Sequence, residues 1–403
     1  MDQDTAGPRV IGRRPFLAAG LAALALPTAC RTAVRSGAPG DIDHFITAEM
    51  QRAAIPGLAV GFARDGAVSF ARGYGLADIA RHRPVTADTL FHIASLTKTV
   101  TATAVMRLAE QRRLRLDEPV ESHLDFPLAN PHHPDVPITV RHLLMHVSSI
   151  SDARYYEVDF RQRGADATLA LGDFLKGYLV PGGRTSAAEA CFSQAAPGGA
   201  WDYSNVGYGL LGYLASRIGG EDMREQTRQQ IFAPLGMRHT RWTLRDTPEP
   251  LRATPYDRVE GVLTAAEPVG MPDWPAGSIR SSVADFTRFV AASANAGSAY
   301  GARIIGAPAL AQMLDMRTPP ELPSWLTGQG LGWMAATLDG AVRLEHWGGD
   351  PGVFTAAYID PASRRGVVVF TNATVSAEAK TAVKNIAGRF FRDDLPAGQG
   401  SGG

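Results

Sequence analysis

Two cysteines, Cys30 and Cys191, in a chain of 403 residues exclude a disulfide framework, so a protein of this size must hold itself together by packing. An excess of charge of either sign is also missing. Forty basic residues balance forty acidic ones, and neither sign gathers into a long run, which argues against nucleic acid or another polyanion as partner. No internal repeat is evident, which sets aside solenoid and propeller arrays. The apolar run at residues 17–26 is too short to span a bilayer as a mature helix. What is present is an apolar fraction of 45%, ample for a large core in one compound domain or two.

That run follows Gly12-Arg13-Arg14-Pro15-Phe16-Leu17, a twin-arginine pattern, so residues 1–30 read as an export signal. The expected location is the periplasm or the surface of the cell envelope. Leu26-Pro27-Thr28-Ala29-Cys30 is similar to a lipoprotein processing box with Pro27 where leucine is usual. A lipid anchor at Cys30 and ordinary cleavage after Ala29 are both open. Residues 31–40 are small and polar and read as a linker, the folded part is expected over 41–392, and the Gly/Ser-ended tail 393–403 reads as disordered. Cys191 lies in an Ala/Ser-rich, loop-like stretch with no histidine close in sequence and reads as incidental.

Ile42, Phe45, Ile46, Met50 and Ile55 approximate a helical face before Pro56-Gly57. Residues 58–62 and 68–74 then read as two strands joined by a tight hairpin at Asp65-Gly66. Residues 352–359 and 365–370 repeat the strand pattern, and a helical pattern closes the fold at 376–391. Both chain ends are therefore expected to complete one antiparallel sheet. The stretch between, about 95–270, carries helical patterning at 100–110, 140–146, 208–218 and 223–231 and reads as an inserted, mainly helical domain.

Ser95-Leu96-Thr97-Lys98 heads one of these helical runs, where residues three apart share a face. A serine hydroxyl is a poor nucleophile at its free pKa, and an adjacent amine that takes its proton makes it an acylating group. Tyr203-Ser204-Asn205 supplies a phenol that works as base when a cation such as Lys98 lowers its pKa, and an amide that orients the lysine and the substrate. His346-Trp347-Gly348-Gly349 precedes the strand at 353, where an edge strand lines a cleft. Glycine there allows close approach to the backbone, and the N–H groups of Ser95 and Gly349 form an oxyanion hole.

In this order the three motifs resemble those of the serine β-lactamase and penicillin-binding-protein superfamily, and the Tyr-Ser-Asn form resembles its class C and esterase branch. Phe91-His92-Ile93-Ala94, Leu116-Asp117-Glu118-Pro119-Val120, residues 138–146, Pro234-Leu235-Gly236-Met237 and Pro275-Ala276-Gly277 are similar to further segments of the family. The resemblance implies an α/β (α+β) fold with the active site between sheet and helical domain. It also implies Ser95 as nucleophile, Lys98 as its partner, Tyr203 as base and Asn205 as the amide contact. No metal or organic cofactor is required. Where the family usually has Lys-Thr-Gly, this chain has His346, Trp347 and Gly348, which removes a cation and a hydroxyl that hold a substrate carboxylate. A small ester is thus expected ahead of a β-lactam or a D-amino-acid peptide, with a non-catalytic envelope-binding protein as the reading of another class. Val147-Ser148-Ser149 stands where relatives have Thr-Ser-Gly, a loss expected to reshape the loop.

His142 and His146 have the spacing of a helical zinc pair, with His132-His133 nearby, but no glutamate follows His142, and both read as structural. Ser282 with Asp285 three residues on reads as a reciprocal helix cap. Asp117-Glu118 are adjacent loop residues that diverge rather than face one substrate. Asn372-Ala373-Thr374 matches a glycosylation acceptor without weight behind a bacterial-type signal.

Overall fold

The structure, a computed structural model, describes residues 39–393. The export segment, the box at Cys30, most of the linker and the tail from residue 394 lie outside the described residues. Among the described residues no helix is long and apolar enough to cross a membrane.

Helix α1 (Pro39–Arg52) leads into β1 (Gly57–Arg64) and β2 (Ala67–Asp78). The Asp65-Gly66 turn between them has positive φ at both residues, 51° and 77°, the geometry that matches the twist of a two-residue hairpin. A short β3 (Arg83–Pro84) follows. The remaining sheet strands come from the other end of the chain: β4 (Gly328–Gln329), β5 (Met334–Leu338), β6 (Ala341–Asp350), β7 (Val353–Asp360) and β8 (Arg365–Thr371). Their order in space is β4-β5-β6-β7-β8-β1-β2-β3, so the C-terminal strand pairs with the N-terminal one. Every pairing in this sheet is antiparallel. Strand β1 is a continuous apolar run buried along seven of its eight residues, as a central strand covered on both faces must be.

One face is covered by α1 and the C-terminal helix α7 (Ala377–Arg392): Ile46, Val383, Ile386 and Phe390 pack on Leu58, Val60, Phe62, Val367 and Val369. The other face receives helix α6 (Val283–Ala294) through Phe286, Phe289 and Val290 and continues into the helical region. There α2 (Thr97–Glu110) packs against α5 (Asn205–Gly219). Helix α2 is buried without interruption from Thr97 to Met106. Its threonines remain tolerable inside because their hydroxyls find carbonyls: Thr101 Oγ1 donates to Pro275 O at 2.7 Å and Thr99 Oγ1 to Leu96 O at 2.7 Å. Shorter helices α3 (Val140–Leu144) and α4 (Ala153–Val158) precede α5 in the chain. The fold class read from the sequence is the one observed.

Candidate active site

Ser95 lies on a single 3-10 turn, Ala94–Leu96, that runs directly into α2, so Ser95 and Lys98 share one continuous helical path. Ala94 has a positive φ of 47°, a sparsely allowed conformation for alanine that turns the chain sharply from strand to helix. Lys98 is fully buried. Its Nζ is 3.1 Å from Ser95 Oγ, 2.7 Å from Asn205 Oδ1 and 2.8 Å from Ala276 O. Burial pushes the Lys98 amine down to about 7 against the pull of Asp273, Asp152 and Asp350. The neutral amine has two N–H donors and one lone pair. Asn205 Oδ1 and Ala276 O only accept, so they take both donors and the lone pair is left for the Ser95 hydroxyl.

Tyr203 has Lys98 Nζ 4.8 Å from its ring centroid. The expectation that Lys98 lowers the phenol's pKa is not met. Burial pushes Tyr203 well above the ordinary tyrosine value, with a hydrogen bond involving Ser95 working against that rise. Tyr203 is therefore a protonated phenol beside Ser95. His146 stacks on it at 4.3 Å and 25°, and His146 Nδ1 accepts from Ser204 N at 3.1 Å. Burial holds His146 well below its usual pKa, so the imidazole is neutral.

Asp152, absent from the sequence reading, fixes the second motif. Its Oδ2 accepts from Asn205 N at 2.6 Å, and its Oδ1 accepts from Ser204 Oγ at 2.9 Å and Val206 N at 3.2 Å. It satisfies the free N–H groups at the start of α5 and so sets the direction of Asn205. The local signal was a bare Ser-Asp before a short helix, and the contact spans fifty-three residues.

The third motif lies on β6, an interior strand and not an edge strand. Pairing with β5 reaches only to Glu345, opposite Met334, whereas pairing with β7 continues to Asp350. From His346 onward one side of β6 is thus unpaired by β5, which is why an interior strand still serves a cleft. A Cβ on Gly348 would sit 2.6 Å from Ile93 O and 2.7 Å from Ser95 N, so the turn that carries Ser95 packs directly on this glycine. Thr355 Oγ1 donates to Ile93 O at 2.8 Å and ties the same turn to β7. His346 Nδ1 donates to Trp347 O at 2.9 Å, and burial, with Lys98 adding to it, pushes the ring down to about 3. Burial therefore favours the neutral imidazole at His346. Trp347 packs beside Trp325 at 6.1 Å with Lys380 Nζ 5.5 Å from its ring centroid.

These elements enclose a cavity of about 360 Å³ lined by Ser95, Tyr203, Asn205, Trp347 and Gly349. Lys98, His346 and Gly348 lie buried behind its wall. The cavity's other lining residues include Tyr155, Tyr156, Trp201 and Trp325, with Asp159, Arg161 and Asp350 as the charged members. Tyr156 OH accepts from Asn205 Nδ2 at 3.1 Å.

The residues set aside in the sequence fall as follows. His142 Nδ1 accepts from Thr139 N and Thr139 Oγ1 accepts from His142 N, a cap on α3. Among the described residues no group of three potential metal ligands comes together. Ser282 caps α6, but Asp285 does not answer it: its carboxylate turns to His239 N at 2.5 Å and Thr240 Oγ1 at 3.0 Å. Asp117 pairs with Arg141 and Glu118 with His123, so the two diverge. Cys191 ends a short helix, Ala188–Cys191, instead of lying in a loop, and is buried. Asn372 is 1% exposed and donates to Leu76 O at 3.0 Å. Ser149 keeps a positive φ of 64°, so the loop retains a glycine-type conformation without glycine, helped by Asn130 Nδ2 donating to Ser149 Oγ at 3.0 Å.

A scaffold of this topology, with a buried amine held against a serine at the seam of sheet and helices, is that of the serine β-lactamase and penicillin-binding-protein superfamily. The chain belongs to the beta-lactamase family, whose model matches residues 42–388. It is 29% identical over 203 residues to Protein flp of Staphylococcus aureus (strain MW2), a match covering 49% of this chain and 37% of that protein. The chain thus spans less than half of that relative. Among solved structures it is similar to EstCE1, a hydrolase with promiscuous acyltransferase activity, with a TM-score of 0.69, 20% identity and coverage of 86% of this chain and 98% of that one. The D-amino acid amidase of Ochrobactrum anthropi SV3 gives a TM-score of 0.69 and 22% identity over 87% of this chain and 97% of the amidase.

Proposed function

We propose that the protein is an exported serine hydrolase that works through an acyl-enzyme on Ser95, and that it is a carboxylesterase. The observation that carries the chemistry is the buried Lys98 amine, whose two donors are taken by Asn205 Oδ1 and Ala276 O. Ser95 Oγ attacks the ester carbonyl carbon and gives its proton to Lys98 Nζ. The carbonyl oxygen, now anionic, is held by the N–H groups of Ser95 and Gly349. As the C–O bond breaks, Tyr203 OH protonates the departing alkoxide and is reprotonated from Lys98. Water then attacks the acyl carbon, its proton passes to the same amine, and Ser95 is released with the acid as product. The tyrosine serves as a relay, and the lysine is the base.

Preference for a neutral ester is supported by the third motif. His346 is uncharged and buried, Trp347 offers no hydroxyl, and the one cation lining the cavity among the described residues, Arg161, is shared between Asp159 and Asp350. EstCE1, a hydrolase of the same fold, fits this reading. Export is supported by Arg13-Arg14 and the apolar run behind them.

The test is a panel of a short p-nitrophenyl ester, nitrocefin and a D-Ala-D-Ala peptide, with wild type beside Ser95→Ala. Ester turnover should exceed nitrocefin turnover by ~10-fold to 100-fold in kcat/KM, the value of one missing charge-assisted contact to the carboxylate, and should vanish in the variant. Faster nitrocefin hydrolysis would make the protein a β-lactamase, and peptide cleavage alone would make it a carboxypeptidase. Binding of penicillin without any turnover would make it a binding protein.

A further inference from the structure

Tyr203 sits in residues 201–204, a stretch that belongs to no helix or strand, so no backbone ladder of its own sets its place beside Ser95. One residue holds it at three points. His146 O accepts from Asp202 N at 2.7 Å, and His146 Nδ1 accepts from Ser204 N at 3.1 Å, so the amides before and after Tyr203 end on the same histidine. Between these two bonds the imidazole stacks on the Tyr203 ring at 4.3 Å and 25°. A backbone N–H only donates, so Nδ1 carries no proton, and the burial that holds His146 well below its usual pKa keeps the ring in that neutral form.

His146 is itself fixed in place. It is 2% exposed and packs on Tyr208 at 4.9 Å and 32°, and Tyr208 OH donates to Leu144 O at 3.0 Å. Its φ of 58° is uncommon outside glycine and is retained where surrounding contacts over-determine it. A purely structural histidine leaves this arrangement unexplained, because packing alone does not call for a carbonyl, a ring nitrogen and a ring face all spent on three consecutive residues.

We infer that His146 is a positioning residue that holds the Tyr203 hydroxyl beside Ser95 for proton delivery to the leaving group. This rests on the acyl-transfer reading above, in which Tyr203 OH protonates the departing alkoxide, and adds the residue through which the phenol is aimed. A displacement of about 1 Å at a reacting group costs ~10²-fold in rate. The cost depends on the leaving group: an alkoxide needs the proton as the C–O bond breaks, whereas the weakly basic p-nitrophenolate departs without it.

The experiment measures kcat/KM, which covers the steps through acylation, for the ethyl and p-nitrophenyl esters of one acid. The proteins are wild type, His146→Ala, His146→Asn, Tyr203→Phe and the double variant Tyr203→Phe/His146→Asn, each checked for folding by circular dichroism. Asparagine keeps an acceptor for Ser204 N and tolerates the left-handed backbone, but loses the stack. His146→Ala should lower the ethyl ester value by ~10²-fold and the p-nitrophenyl value by less than ~5-fold, and His146→Asn should recover part of the ethyl ester loss. In the double variant the histidine change should add nothing to the loss from Tyr203→Phe. If His146→Ala does not fold, His146→Asn against Tyr203→Phe decides. Equal losses on both esters in His146→Asn, or losses that add to those of Tyr203→Phe, would overturn the assignment and leave the acyl-transfer reading standing. If Tyr203→Phe itself leaves the leaving-group dependence of wild type unchanged, the relay role of the tyrosine falls and the positioning role with it. No turnover of either ester by wild type would remove the acyl-transfer reading and this assignment together.

Discussion

Lys98→Met should lower kcat for a neutral ester by ~10³-fold, within the range that a positioned general base contributes, while leaving KM within a few-fold. Methionine keeps the length and most of the volume of the buried side chain and deletes only the amine. What is lost is the acceptor for the Ser95 proton, since Tyr203 is held protonated by its burial and does not replace it. Two acceptors, Asn205 Oδ1 and Ala276 O, lose a donor, but the cost of burying an amine disappears with it, so the variant should remain folded by circular dichroism. The wild-type pH profile checks the same claim. In the proposed reaction Lys98 acts as the neutral amine, and its pKa is pushed down to about 7. Below that value the amine is protonated, so kcat/KM should fall as pH drops through about 7 and level off above it. Asp273 and Asp152 both interact with Lys98, so the inflection belongs to the cluster and not to the lysine alone. A flat profile across this range, or a Lys98→Met variant with near wild-type kcat, would remove the lysine from the mechanism.

Gly348→Ala should lower kcat by ~10²-fold or more, the cost of losing one oxyanion donor. The added Cβ would lie 2.6 Å from Ile93 O and 2.7 Å from Ser95 N. Both are backbone atoms, with no side-chain torsion that could carry them aside. The contact is relieved only by moving the nucleophile turn or β6, and either movement separates the two proposed oxyanion donors. Substrate binding in the aromatic cavity should be affected less than turnover, so KM changes little. Steady-state kinetics on an ester, with a melting curve to confirm folding, settles the point. A kcat within about threefold of wild type would show slack between the turn and the strand.

Much of this arrangement was legible before any coordinates. The Asp65-Gly66 hairpin was readable because a two-residue loop demands positive φ, which these residues supply. The same signal at Asp339-Gly340, with φ of 53° and 76°, joins β5 to β6 and would have located the strand that carries the third motif. Ser95 and Lys98 were readable because helix geometry alone brings them together. Asp152 and Ala276 O were not, because each reaches its partner across long stretches of chain by tertiary packing. Local pattern also misassigned the partner of Asp285, since Ser282 followed by an acid fits a reciprocal cap equally well whether the carboxylate turns back or outward. The protonation state of Tyr203 depended on how completely its phenol is buried, which no sequence spacing encodes.

The proposed reaction requires a covalent acyl group on Ser95. Intact-mass spectrometry of wild type and Ser95→Ala, quenched in acid within milliseconds of mixing with a slowly deacylating p-nitrophenyl ester, measures it directly. The expected result is a mass increase equal to one acyl group, located by peptide mapping on Ser95 and absent from Ser95→Ala. Ester hydrolysis by Ser95→Ala at the wild-type rate, or an acyl group mapped to another residue, would contradict it.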